Sequence, residues 1–166
     1  MGLLDWLKPK IPPQTLAAER LTNRIISTAQ LTAVSSADGM HSPFPFFERI
    51  ASNSPDRFLF TVIAAAVPLT MHRVSLQESS DFKEILFEHL LGCFSQFNAL
   101  APKLFIDCWK FIVKSEGGAS KCSAEAGVWL IWNLKGTRPT PDEFREGALE
   151  GVALGQFATQ WFDAGL

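Results

Sequence analysis

Gly147, Gly151 and Gly155 recur at a four-residue interval inside a segment that otherwise reads as a well-specified helix. Each glycine costs roughly 1 kcal/mol of helix propensity relative to alanine. Three on one stripe therefore imply that another backbone passes very close to that face. Phe144, Ala148, Ala158 and Phe162 share the stripe by helical phase, so the glycines lie in a shallow groove with a phenylalanine near either end. Glu143, Glu146 and Glu150 occupy another side of the same helix, which separates it from the lipid-embedded helices where small-residue spacing is best known. Because the stripe coincides with the main apolar face, an internal helix crossing is the expected use, with a homodimer contact as the alternative.

The start of this helix is the clearest local signal. Thr140 can accept a hydrogen bond from the third amide of the helix, Glu143 can reach back, and Pro141 fills the first position. The helix is expected to run to about Asp163. Upstream, Gln14 to Leu31 places Leu16, Leu21, Ile25, Ile26 and Ala29 near one face. Val34 to Met40 is small and polar and reads as a loop, and Ser42 to Phe47 reads as extended, with a helical turn from Glu48 to Ala51. Ser54-Pro55-Asp56 reads as a helix start, and Pro68 should bend or end that helix. Asp81 and Glu84 have capping-box spacing ahead of a helix over 82–98, whose narrow polar stripe predicts a central position. Pro102 opens another helix with Lys103, Asp107, Lys110 and Lys114 as its only polar stripe.

Ala124 to Leu134 is ambiguous. Val128-Trp129-Leu130-Ile131-Trp132 is β-prone and bounded by Gly127 and Gly136. With no obvious partner strand nearby, a lone strand would leave its backbone unsatisfied, so the segment is assigned to a helix capped by Gly136. The expected fold is all-α: a single-domain irregular helical bundle of five to six helices over 14–166, preceded over 1–13 by an amphipathic stub and a proline-rich lead-in. Its centre is expected to be the helices beginning near Pro55, Phe82 and Pro102, with the C-terminal helix crossing on glycine.

Composition narrows function mainly by exclusion. The formal net charge of −2 provides no basic field for a phosphate backbone, so nucleic acid is not an expected partner. The longest charge-free stretch, Phe58 to Met71, is 14 residues and contains Pro68, which reads as a core helix and not a membrane span. The first residues resemble neither a secretory signal nor a myristoylation site. Three widely spaced cysteines suit buried thiols in a reducing compartment, so a cytoplasmic location is expected. With 14 Phe, 5 Trp and no Tyr, no phenol is available as acid, base or nucleophile, and core bulk comes without a buried hydroxyl to satisfy.

No phosphate loop, nucleophile elbow or metal motif occurs, so no catalytic residue, no metal site and no cofactor is expected. His89 and Cys93, with Cys108 and Cys122 on later segments, lack the close ligand pairs typical of structural zinc. His41 and His72 fall in or beside loops, and the acids fall on solvent stripes. The leading functional expectation is a non-enzymatic protein-interaction module: an adaptor, accessory subunit or inhibitor binding another protein. Its candidate partner-binding residues are Leu149, Leu154, Phe157 and Trp161, away from the glycine stripe. The competing reading of that patch is cover by the N-terminal region. Two alternatives are an enzyme or ligand binder assembled from His72, His89, Cys93 and Asp107, and peripheral membrane attachment through the apolar side chains of residues 1–8.

Overall fold

The computed structural model describes residues 12–37, 44–51, 54–77, 79–114 and 118–165. Among them are seven helices and no strand: α1 (Pro13–Ala37), α2 (Pro45–Ala51), α3 (Arg57–Ser75), α4 (Ser80–Phe97), α5 (Ala101–Val113), α6 (Ala119–Lys135) and α7 (Pro141–Ala164). The residue 1–8 stub and His41 lie outside the described residues. The all-α expectation holds, with one helix more than expected. The extra one is α2, which starts at Pro45 instead of forming a turn at Glu48, because proline at the first helical position sacrifices no bonded N–H.

The stretch from Ala124 to Leu134 is helical, and Gly136 ends it at φ 67°, in the left-handed region expected of such a cap. The capping box at the start of α7 forms in both directions. Other local signals are displaced. Ser79, not Asp81, caps α4, accepting from the Phe82 amide at 3.4 Å. Helix α3 starts at Arg57, with Asp56 at the cap position and no side-chain cap bond.

Two helices run further than their local signals suggest. α1 continues past Leu31 to Ala37, and its buried face is made of small residues: Ala18, Thr22, Ala29, Thr32 and Ala33 beside Ile25. These small residues let α1 lie against α3, which presents Ala64, Ala65 and Ala66; Val34, in the stretch that reads as loop, is exposed. α3 does not end at Pro68 but continues to Ser75, and every residue from Thr61 to Thr70 is buried. The forfeited bond sits where packing holds the chain on all sides. At 19 residues and mean hydropathy 1.5, α3 is long and apolar enough to cross a bilayer by composition; here it forms the bundle's central rod, with α1, α5, α6 and α7 around it.

The centre is therefore α3 with α6, whose residues Ala126 to Ile131 are all buried. α4 is peripheral, contrary to the reading of its narrow polar stripe. It packs on α1 and α5, and only Leu86, Leu90 and Phe94 are fully buried. The remaining apolar residues of its face are covered only in part.

The glycine stripe is an internal crossing. α7 lies across α6, and the glycines meet a fourth, Gly127, on the facing helix. A Cβ at Gly127 would sit 2.6 Å from the Cα of Gly151, and one at Gly151 would sit 2.7 Å from the Cα of Gly127. Further along, Gly147 takes the Ile131 side chain and Gly155 takes Ser123. Backbone meets backbone here, so the lost propensity is exchanged for dispersion contacts that no larger residue would permit.

Candidate functional site

α4 and α5 form an antiparallel pair about a tight turn at 98–100. Their spacing is set by rings. Phe87 meets Trp109 at 5.2 Å between centroids, and Phe94 meets Phe105 at 5.1 Å. Rings fill the seam between the two helices, and from α3 only Val74 joins the lining. A groove of about 460 Å³ results, lined by Val74, Phe87, Leu91 and Trp109, with Lys83, Glu84 and Glu88 along one rim. Val113, 59% exposed, lies on the same flank of α5 as Trp109. Lys110 and Lys114 are exposed, and by helical phase they follow Trp109 and Val113 toward the outer side of α5. The surface presents aromatic and aliphatic anchors between charged edges, and few polar atoms point into it. The sequence singles out neither the anchors nor the rim charges as a site, because the helical pattern there reads as core.

The C-terminal patch expected to bind a partner is divided by the structure. Leu154 is 1% exposed and belongs to the core. Phe157 is half-buried, edge-on to Phe44 at 6.1 Å and tilted against Trp161 at 4.7 Å. Trp161 is also half-buried. Only Leu149 stands well into solvent, at 62%. The cover on Phe157 comes from the start of α2, and Glu150 fixes that start in place. The Phe46 amide donates to Glu150 Oε1 at 2.6 Å and the Phe47 amide to Oε2 at 2.7 Å. Glu150 is thus not one of the acids of a solvent stripe. It places its carboxylate on the first-turn amides of a neighbouring helix, where the backbone dipole favours negative charge. Burial raises its carboxyl above the ordinary range, and the two amides only partly offset that.

The C-terminal end of α7 receives complementary treatment. Arg24 of α1 donates to the carbonyl of Phe162, and Arg73 of α3 pairs with Asp163 at 2.6 Å. Their guanidiniums lie 4.4 and 4.2 Å from the Phe162 ring centroid. Cations from other helices thus sit where α7 has no basic residue of its own.

The dispersed titratable residues stay mostly apart. His89 and Cys93 share a shallow depression on α4 with Glu88, Gly92 and Gln96, which His72 and Asp107 do not line. Burial, then the nearby Glu19, holds the Cys93 thiol above its ordinary range, the opposite of what an activated nucleophile needs. Burial also raises Cys122, and raises the fully enclosed Cys108 strongly. Among the described residues, no three His, Cys, Asp or Glu side chains converge as a metal-binding group. A second depression, over Gly155 between α6 and α7, is lined by neutral polar groups including Ser120, Ser123, Gln156 and Thr159.

Compared with known protein families, curated proteins and solved structures, the chain matches none.

Proposed function

We propose that this protein is a non-enzymatic interaction module that docks another polypeptide on the α4–α5 face. The observation that carries the reading is the groove itself: an apolar floor of Val74, Phe87, Leu91 and Trp109 open to solvent between charged rims. Interfaces draw most of their affinity from aromatic and aliphatic anchors that lose water on contact, while rim charges set orientation and encounter rate. Catalysis would instead call for titratable groups converging in a sheltered cleft. Leu149 on α7 is as exposed as any large apolar residue here, but its expected companions Leu154 and Phe157 are withdrawn beneath it or covered.

The test is capture of partner from lysate by immobilised protein, comparing wild type with Leu91→Asp and Leu149→Asp, each checked for retained helicity. The reading expects Leu91→Asp to abolish capture and Leu149→Asp to leave it intact. Hydrogen exchange on the assembled complex should show protection in α4 and α5. Capture indifferent to Leu91→Asp would remove the α4–α5 face as the docking surface.

A further inference from the structure

We infer that the occupant of the α4–α5 groove is a second copy of this chain, related by a two-fold axis running along the helices. The inference rests on the docking role proposed above and adds the identity of the partner.

Charge layout singles out this partner. α4 carries Asp81, Glu84 and Glu88 against Lys83, whereas α5 carries Lys103, Lys110 and Lys114 against Asp107. The groove thus has an acidic wall and a basic wall. The tight antiparallel turn at 98–100, with Phe87 meeting Trp109 and Phe94 meeting Phe105, puts Glu84 level with Lys114 and Glu88 level with Lys110. All four of these charges are exposed, and none has an ion-pair partner among the described residues. The apolar seam keeps the walls apart within one molecule.

A face with one acidic and one basic edge at matching heights is self-complementary under only one kind of face-to-face two-fold. An axis along the helices lays α4 of one protomer over α5 of its partner and preserves height. Glu84 then faces Lys114 of the partner subunit and Glu88 faces Lys110 of the partner subunit, and each pair occurs twice. An axis across the helices would stack α4 on α4 and oppose carboxylates, an arrangement penalised by several kcal/mol. Along the seam, the apolar side chains of α4, Phe87 and Leu91, would face the apolar side of the partner's α5, those of α5, Trp109 and Val113, would face the partner's α4, and all would lose water. The face is two helices wide over about 20 Å, the length of the 13-residue α5, and continues along the 18 residues of α4 to about 27 Å.

The experiment is sedimentation velocity on the full chain across micromolar concentrations, at low and high salt. Wild type should dimerise with concentration and weaken as salt rises. Glu84→Lys with Glu88→Lys should weaken dimerisation by about a hundredfold or more, as should Lys110→Glu with Lys114→Glu. An equimolar mixture of the two double variants should restore a dimer, since every opposed pair is again of opposite sign. Should either swap perturb folding by circular dichroism, Glu84→Gln with Glu88→Gln supplies the same test with a smaller loss. A wild type monomeric at all concentrations, yet retaining Leu91-dependent capture of a different polypeptide, overturns the second-copy occupant and leaves the docking role standing. A monomer without such capture overturns both. A dimer indifferent to Leu91→Asp and to both charge swaps assigns the contact elsewhere and overturns the inference as well.

Discussion

The α6–α7 pair and the α4–α5 pair join helices of similar kind with opposite results. Between α6 and α7 the contact residues are Gly127, Gly147, Gly151 and Gly155, so the backbones touch at the crossing, and what stays open beside it, over Gly155, is lined largely by polar groups. Between α4 and α5 the contact residues are Phe87, Phe94, Phe105 and Trp109, so rings fill the seam and a groove opens outward. The size of the interfacial side chain thus decides whether a helix pair ends as core or as surface. α7 is occupied on its other faces too, by α2 through Glu150 and by the arginines of α1 and α3. Besides α4 and α5 themselves, only Val74 of α3 lines the groove between them among the described residues, which is why the docking reading falls there.

The strongest way to break this comparison is to thicken the glycine crossing. Gly151→Ala or Gly127→Ala places a methyl group against backbone that cannot yield. Overpacking costs of about 1–3 kcal/mol or more should outweigh the roughly 1 kcal/mol gained in helix propensity. We expect net destabilisation of about 2 kcal/mol in chemical denaturation. An unchanged midpoint would mean that the helices do not touch on glycine.

Next in size is Glu150→Ala, which leaves the Phe46 and Phe47 amides without their acceptor and should cost about 1–3 kcal/mol. Amide exchange in α2 should accelerate more than in α6. Glu150→Gln should recover only part of the loss, because its single carbonyl oxygen serves one amide while its NH2 confronts the other.

The same α4–α5 pair offers the converse of the crossing experiment. Gly92 lies on the exposed face of α4, and a Cβ there would meet nothing within 4 Å. Gly92→Ala should therefore stabilise the protein by about 0.5–1 kcal/mol. Glycine-to-alanine changes of opposite sign on α7 and α4, read by thermal melts of both variants, would sharpen the contrast in one measurement.

The smallest effect expected is in pH dependence, where two acids on α7 act in opposite senses. Glu143 is partly exposed and held below its ordinary range by the hydrogen bond from Lys135, then by the Thr140 amide. Its contribution is present above the unfolded carboxyl value and is lost as pH falls through the lowered folded one. Glu150 is raised by burial, so its contribution is present below the unfolded value and is lost as pH rises through the raised folded one. Melting temperatures from acid to neutral pH should show Glu143→Gln flattening the acid side of the profile. Glu150→Gln should flatten the segment just above the ordinary carboxylate range. A common sign for the two would contradict the geometry.

Signals carried by a few neighbouring residues are legible in the sequence alone. Thr140 and Glu143 cap their own helix, Gly136 terminates α6, and the glycine stripe needs a close partner. Readings that require knowing what lies opposite go astray. Gly127 looks like a boundary and is half of the crossing. Glu150 looks solvated and caps α2. Val34 to Ala37 looks like loop and continues α1 as its last turn, with Val34 exposed. The greasy face of α4 looks like a centre, and much of it is the candidate site.

By itself, the chain's order of residues settled that it would be helical, where several helices begin and end, and that one face of the last helix must meet another backbone, since each of these comes from hydrogen bonds and sterics within a turn or two. Only the tertiary structure decided which apolar faces are enclosed and which stay open, because burial belongs to pairs of surfaces. A stripe of leucine and phenylalanine has the same pattern whether a neighbour covers it or water does.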